Sequence, residues 1–440
     1  MPDLLIRGAR VVDPFRGTDE GMDLLVSRGR VAELGKGIPA EGREVIDAEG
    51  MIVAPGFLDI HVHLREPGRE DEETLESGLA AALRGGFTAV CCMPNTDPPL
   101  DNAALVEEMA LKAAKLGLAD LFIVGCVTRG RQGRELAEMG LMHLSRARVR
   151  AFSDDGDGIE DAGLMRRALE YVSGFGGVIV SHPEDRGLSR GGQVNEGEVS
   201  FALGLRGIPA LAEEVMVARD LLLAGETGAR LHLAHLSTAR SLHMVREAKS
   251  RGLRVTAEAT PHHLVLSERD IRDYDTVYKV NPPLRTPEDV RELRQALTDG
   301  TVDAIATDHA PHAPEEKERE FEYAPFGVVG MESAFPVLYT ELVERGELPL
   351  MRLLDLLTRG PAEVMGLQAP EYGGGIEVGC RADLVLLETG REWVMDAGAF
   401  ASKGRNCPFH GRKVKGRVAF TLKNGRVAFA AAGRGGEGVG

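Results

Sequence analysis

The sequence contains no long apolar run, no run of basic residues and no Cys-x-x-Cys pair. Without an apolar stretch of about 20 residues no membrane span is predicted, and the charged N-terminus lacks the apolar core of a signal peptide. A net charge of -16 disfavours nucleic acid and acidic lipid as partners. The five cysteines are odd in number and scattered, which favours a reducing compartment. We therefore expect a cytoplasmic protein with neither membrane nor nucleic-acid partners.

The two ends of the chain resemble each other and differ from the middle. Short β-like segments broken by glycine turns occur at 4–6, 23–27 and 44–47, and again at 382–387, 412–422 and 425–430. Between them, apolar runs alternate with longer helical patterns such as 102–116 and 213–224, which is typical of βαβ units around a parallel sheet. With 440 residues, the chain is long enough for a large barrel with an appendage.

Eight apolar runs predict a mixed α/β fold, a (β/α)8 barrel of the TIM type. The runs are 53–61, 88–93, 121–127, 149–152, 178–180, 231–234, 255–257 and 304–306. We expect 54–365 to form the barrel, 1–53 and 366–430 to form the two parts of a small β-rich domain, and 431–440 to be a disordered tail. In such a barrel the active site lies where the strands end, and the polar stretch 311–323 resembles an active-site loop.

Histidines and acids follow these predicted strands. His61 and His63 alternate along the first strand, so both imidazoles can meet one metal ion; an ordinary pair of hydrogen-bonded histidines is about as common for an isolated His-x-His. After the fourth strand, Asp154 and Asp155 offer a carboxylate that could bridge two cations, although Asp-Asp-Gly alone is more often a solvated turn. The pattern becomes informative only through its repetition at other strand ends.

Three further strands end in the same way. His182 follows the fifth strand, and the sixth offers His232 or His235, of which a regular strand would turn only one into the pocket; the terminal His235 is preferred. Asp308 follows the eighth strand, where it could bind metal and accept a proton from water. The nitrogen and oxygen ligands suit two divalent ions, with zinc as the default, that share a hydroxide able to attack an amide carbonyl.

Five motifs together resemble the dihydroorotase family. They are His61-Val62-His63-Leu64-Arg65-Glu66-Pro67-Gly68, Met93-Pro94-Asn95-Thr96, Thr260-Pro261-His262-His263-Leu264, Asn281-Pro282-Pro283-Leu284-Arg285 and Thr307-Asp308-His309-Ala310-Pro311-His312. The resemblance runs from about residue 55 to 330, and the β-rich ends resemble the composite small domain of the amidohydrolase superfamily. It implies reversible hydrolysis of L-dihydroorotate to N-carbamoyl-L-aspartate in pyrimidine biosynthesis.

The resemblance also implies a role for each site residue. His61 and His63 would hold one ion, His182 and His235 the other, and Asp155 would bridge them where hydantoinases have a carboxylated lysine. Asp308 would join the first ion, take the proton of the attacking hydroxide and pass it to the leaving nitrogen. Substrate contacts would come from Arg65 and Asn95 to the carboxylate and, around the ring, from Asn281, His312, Phe326 and Gly327.

Some features depart from the family pattern or leave it open. Pro183 follows His182 where cysteine is usual, which affects the expected local geometry. His262 and His263 are given a structural or supporting role. Two rival functions remain: a hydantoinase or dihydropyrimidinase, and an inactive structural partner of aspartate transcarbamoylase. A homodimer is expected from the family, and association with aspartate transcarbamoylase stays open.

Overall fold

Eight parallel strands surround the centre of the molecule in a nearly closed barrel, as the sequence predicts. The computed structural model describes residues 3–369, 372 and 374–432. A parallel bridge joins Val62 of the first strand to His309, which follows the last strand, and the His63 amide donates to the His309 carbonyl at 2.8 Å. In chain order the barrel strands are Phe57–Val62, Phe87–Cys92, Asp120–Gly125, Ala151–Phe152, Val178–Ser181, Arg230–Leu233, Val255–Ala259 and Ala304–Ile305.

Helices follow these strands and pack around the barrel. The predicted helix at 102–116 begins with Asn102, whose side chain accepts hydrogen bonds from the Ala104 and Leu105 amides, and ends at Gly117 with φ 65°. The α-helices of the described chain are Leu75–Arg84, Ala103–Leu116, Met139–Leu144, Ala162–Ser173, Arg186–Ser189, Glu198–Leu203, Leu211–Thr227, Ala239–Ser250, Pro261–Val265, Pro287–Thr298, Pro314–Lys317, Met331–Leu338, Leu350–Leu357 and Arg359–Met365. None of them has the length and apolarity that a membrane crossing requires.

The apolar run 53–61 is not one strand, as predicted, but parts of two. Met51–Pro55 belongs to the second large sheet, and Phe57–Val62 begins the barrel. Gly56 lies between them, and a larger residue would not fit there because a Cβ atom would lie 2.3 Å from Thr88 Cγ2. Apolar periodicity cannot reveal this division, since both strands are buried on both sides.

The second large sheet joins the two ends of the chain. Met51–Pro55 pairs in parallel with Leu4–Asp13 and antiparallel with Leu384–Val394, so a strand from each end flanks it. The other strands of this sheet are Thr18–Ser27, Arg30–Gly35, Glu44–Asp47, Lys413–Lys423 and Arg426–Ala430. Apolar side chains of this sheet form a separate buried core, which includes Leu24, Val53 and Leu386.

The predicted range 366–430 includes residues 370, 371 and 373, and the predicted tail 431–440 includes residues 433–440, all of which lie outside the described residues. A short parallel pair, Val194–Asn195 with Gly207–Ile208, lies between the fifth and sixth barrel strands. The loop after the eighth strand contains the helix Pro314–Lys317 and returns to the barrel at Val328, which forms a bridge with His309. This loop and the strand ends surround the candidate site.

Candidate metal centre and substrate pocket

Four histidines and one aspartate meet at the carboxyl ends of the barrel strands. Asp155 Oδ1 lies 3.4 Å from His61 Nε2, 3.4 Å from His182 Nδ1 and 3.8 Å from His235 Nε2, and Asp155 Oδ2 lies 3.6 Å from His63 Nε2. The five side chains form two groups with metal-ligand spacing, and Asp155 belongs to both. All are buried. The geometry is that of a carboxylate placed between two pairs of imidazoles.

Asp308 lies beside the first pair. Its Oδ1 is 3.0 Å from His63 Nε2 and 3.6 Å from His61 Nε2. Its backbone has φ 47°, a left-handed conformation that costs a non-glycine residue energy and that often occurs at functional sites. Burial raises the pKa of Asp308, but the hydrogen bond with His63 and the neighbouring imidazoles outweigh it and hold the pKa below the usual value. The carboxylate is therefore charged at neutral pH.

Three of the four imidazoles are held from outside the cluster by an oxygen acceptor. Each acceptor faces the ring nitrogen that points away from Asp155, so a neutral ring that donates to it would turn the lone pair of its inner nitrogen towards the cluster. The pairs are His61 Nδ1 with Glu258 Oε1 at 2.7 Å, His63 Nδ1 with Asn95 Oδ1 at 2.8 Å, and His182 Nε2 with Glu184 Oε2 at 3.0 Å.

The inward-facing atoms fit divalent cations. His61 Nε2 and Asp155 Oδ1 are buried and have no hydrogen-bond partner within the described chain. His182 Nδ1 and His235 Nε2 face each other at 2.9 Å. Lone pairs turned inward, beside carboxylates that favour positive charge, are the donor set that a metal ion requires.

The structure separates the two neighbouring acids after the fourth strand. Asp154 turns away from the histidines: its Oδ1 accepts from the Val127 and Thr128 amides at 2.9 and 3.0 Å, and its Oδ2 accepts from the Thr128 hydroxyl. Asp155 alone faces the cluster. Asp154 therefore stabilises the turn. The Asp-Asp-Gly sequence alone does not reveal which of the two acids faces the cluster.

His232 lies on the sixth strand and His235 follows it; His235 belongs to the cluster, and His232 does not. His232 Nε2 bonds Glu258 Oε2 at 3.0 Å, and the other oxygen of Glu258 bonds His61. Glu258 is fully buried and was not among the predicted site residues. Its signal was an acid within the apolar strand Val255–Ala259, where an unpaired charge would be costly.

Arg131 is a second residue that the sequence analysis missed. Its Nη2 donates to the Asp155 carbonyl at 2.5 Å and pairs with Asp157 Oδ2 at 2.6 Å. Arg131 therefore stabilises the turn that contains Asp155. Arg131 follows the third barrel strand within a polar segment that has no metal-ligand pattern, so only the fold brings it to the site.

The predicted carboxylate-binding residue Arg65 is held by internal partners. Its Nε lies 3.1 Å from the Pro311 carbonyl and 3.0 Å from Glu72 Oε2, and its Nη2 lies 3.3 Å from His312 Nε2. His312 bonds Glu72 through Nδ1 at 2.9 Å and the Phe326 carbonyl through Nε2 at 2.8 Å. Glu72, another unpredicted residue, thus connects two predicted substrate contacts.

A cavity of about 940 Å³ lies beside the metal centre. Its lining includes Gly156, Glu184, Asn281 and Phe326, so it reaches both the turn of Asp155 and the loop after the eighth strand. Asn281 Nδ2 donates to Glu184 Oε2 at 2.7 Å, which places this predicted ring contact next to His182. Gly327, the residue after Phe326, has a φ of 134°.

The pair His262 and His263 lies outside the cluster. His263 bonds the Thr260 hydroxyl at 2.8 Å and the Pro282 carbonyl at 2.8 Å, and so supports the segment that carries Asn281. The His262 ring packs 4.5 Å from that of His263, and burial lowers the pKa of His262 to about 4. Pro183 leaves His182 in the cluster.

Comparison with known proteins gives a consistent family. Residues 50–241 match the family model described as Dihydro-orotase-like. A dihydroorotase from Pelotomaculum thermopropionicum is 51% identical over 96% of this chain and 98% of its own length. A dihydroorotase from Geobacter sp. is 46% identical over 98% of this chain and 100% of its own length.

Solved structures agree on the architecture. An L-hydantoinase from Arthrobacter aurescens superposes with a TM-score of 0.86 at 28% identity, over 97% of this chain and 96% of the other. A D-hydantoinase from Thermus sp. has a TM-score of 0.81 at 25% identity, with 97% and 96% covered. Both are similar to this chain over nearly their whole length.

Proposed function

The chain belongs to the dihydroorotase family, and from that premise we propose how its site carries out the family's reaction. The protein is a hydrolase of cyclic amides that interconverts L-dihydroorotate and N-carbamoyl-L-aspartate. The observation that carries the proposed chemistry is Asp155 between two pairs of imidazoles, with Asp308 beside one pair. Such a donor set is suited to hydrolysis assisted by metal ions.

We propose that the site binds two divalent cations, zinc in the default case. His61, His63 and Asp308 would hold one, His182 and His235 the other, and Asp155 both. The cations would supply Lewis acidity, which polarises the ring carbonyl and makes water a better nucleophile at neutral pH. Glu258, Asn95 and Glu184 each face an outer ring nitrogen, so a neutral ring that donates to them would leave its inner nitrogen free to bind metal.

Asp308 moves the proton in this proposal. In the hydrolytic direction water attacks the ring carbonyl carbon, and the Asp308 carboxylate accepts the proton that the water loses. Asp308 then gives this proton to the ring nitrogen as the bond between that nitrogen and the carbonyl carbon breaks. Ring closure uses the same groups in reverse. The lowered pKa of Asp308 keeps its carboxylate ionised, which is the form that accepts a proton.

Substrate recognition falls to six residues in this proposal, of which Asn281 and Phe326 line the cavity. Arg65 offers a guanidinium group whose donors match a carboxylate, and the amide of Asn95 supplies another donor. Asn281, His312 and the backbone of Phe326 and Gly327 would contact the ring. The position of Asn281 and Phe326 on the cavity wall supports this arrangement.

The deciding experiment measures metal content and substrate preference on the same purified protein. We expect about two metal ions per chain and selective hydrolysis of L-dihydroorotate over dihydrouracil and hydantoin. A preference for the uncharged rings would support the hydantoinase alternative, to which the likeness to the Arthrobacter aurescens enzyme points. Absence of metal and turnover, even after metal addition, would support the inactive-partner alternative.

We also propose a cytoplasmic homodimer. The five cysteines are free and four of them are buried, which agrees with a reducing compartment. The solution mass, measured by light scattering, tests the dimer. Co-purification with aspartate transcarbamoylase tests whether the two enzymes associate.

A further inference from the structure

Part of the C-terminal region does not belong to the β-rich sheet and lies against the loop after the eighth strand. This crossing segment, residues 401–410, connects the strands Leu384–Val394 and Lys413–Lys423. Its backbone meets the barrel where the Val329 amide donates to the Asn406 carbonyl at 3.0 Å. At Gly404, a Cβ atom would lie 2.7 Å from Val329 Cγ1 and 2.8 Å from Pro311 Cβ, so the contact is close.

One side chain of the crossing segment contacts both arms of the loop after the eighth strand. The outgoing arm contains Ala310 and His312, and the returning arm contains Gly327. Asn406 Nδ2 donates to the Ala310 carbonyl at 3.0 Å and to the Gly327 carbonyl at 3.0 Å. Asn406 Oδ1 accepts from the His312 amide at 3.4 Å. Asn406 is 4% exposed, so water cannot readily replace these bonds.

The two arms of the loop are closely packed against each other. A Cβ atom on Gly327 would lie 2.8 Å from Ala310 Cβ and 3.0 Å from His312 Nε2. The outgoing arm carries His312, and the returning arm carries Phe326 and Gly327. A small change in the spacing between the arms would therefore move the proposed ring contacts relative to one another.

We propose that Asn406 is a positioning residue, which sets the spacing of the two arms and thereby the affinity of the pocket for its ring substrate. This inference rests on the proposed function for its substrate and on the hydrogen bonds for its site. The amide is specifically required, because its NH2 group faces two carbonyl oxygens. A carboxylate of the same shape would face them without a proton to donate.

The test compares Asn406→Asp and Asn406→Ser with Thr286→Ala. Thr286 caps the helix Pro287–Thr298 and makes no hydrogen bond to 310–328 within the described chain, so it controls for general loss of stability. We expect Asn406→Asp to raise KM for dihydroorotate about tenfold or more, since both bonds from the Asn406 NH2 group to carbonyl oxygens are lost, with a smaller change in kcat and parental metal content. Asn406→Ser, which keeps a smaller donor, should lie between parent and Asn406→Asp.

Hydrogen exchange of 311–327 gives a second readout that needs no turnover. Exchange should be faster in Asn406→Asp than in the parent and unchanged in Thr286→Ala. Parental KM and exchange in a folded Asn406→Asp protein would overturn the inference, as would an equal rise in KM in Thr286→Ala. If the parent hydrolyses no dihydroorotate, the proposed function fails, while the exchange comparison still decides the role of Asn406 in the loop.

Discussion

The two sides of the site differ in whether their polar atoms already have partners. On the metal side, His61 Nε2 and Asp155 Oδ1 are buried and unpartnered within the described chain. On the substrate side, Arg65 and His312 both bond Glu72. Burying an unpaired polar atom costs free energy, and a cation bound on the metal side would offset that cost.

This difference indicates how each side binds. A cation would satisfy the lone pairs of the metal side without breaking any hydrogen bond to Glu258, Asn95 or Glu184. A substrate carboxylate must instead share Arg65 with Glu72, because the guanidinium is already paired. Metal affinity should thus depend on the residues that orient the imidazoles, and substrate affinity on internal partners that compete with the substrate.

The largest expected effect is loss of turnover on the metal side. Asp308→Ala removes the proposed proton acceptor but leaves both histidine pairs and Asp155, so we expect kcat to fall about 1000-fold while some metal stays bound. Steady-state kinetics and metal analysis of one preparation check this. Asp161→Ala, which removes a helix N-cap, is the control for stability. Near-parental turnover in Asp308→Ala would exclude Asp308 as the base.

A smaller effect should follow from changing the support of a metal ligand. Glu258→Gln weakens the hold on His61 Nδ1 and His232 Nε2, and substitutions of this kind typically lower metal affinity about 10–100-fold. Titration with a chelator measures the affinity. His243→Gln, at an exposed histidine, should match the parent. Equal chelator resistance in both variants would show that Glu258 does not tune the metal.

On the substrate side we expect the change to appear in KM. Arg65→Met should raise KM for dihydroorotate about tenfold or more, since a charge-assisted hydrogen bond is lost, with unchanged metal content. The variant also leaves Glu72 without this partner, so the double variant Arg65→Met with Glu72→Gln separates the two effects. If its KM returns to the parental value, Arg65 does not contact the substrate carboxylate.

The smallest expected effect concerns the loop near the pocket. Lys317 donates to the Pro325 and Gly327 carbonyls, and burial, with the nearby charge of Lys279, lowers the pKa of Lys317 to about 7. Between about pH 7 and the unfolded value near 10.4, the unfolded chain binds more protons, so this group makes stability rise with pH. Lys317→Met should show a smaller rise in thermal midpoint from pH 7 to 9. An identical rise in parent and variant would contradict this.

Much of the site could be predicted because its residues follow strands. The ends of parallel strands meet at one face of a barrel, so His61, His182 and Asp308 could be placed together from the sequence, and the barrel itself is confirmed. Their catalytic roles stay predictions. Glu72 and Asn406 could not be found in this way, because neither residue lies at the end of a barrel strand and their partners are distant in sequence. Glu258 does lie near the end of a barrel strand, but its local sequence does not reveal His61 and His232 as its partners.

The sheet that joins the two chain ends has a consequence for synthesis. Met51–Pro55 is made early, but one of its neighbours, Leu384–Val394, is made only after the whole barrel. During translation this edge has unpaired backbone groups that other chains could join. A nascent or prematurely terminated chain would therefore leave this edge open to pairing with other chains until the strand Leu384–Val394 covers it.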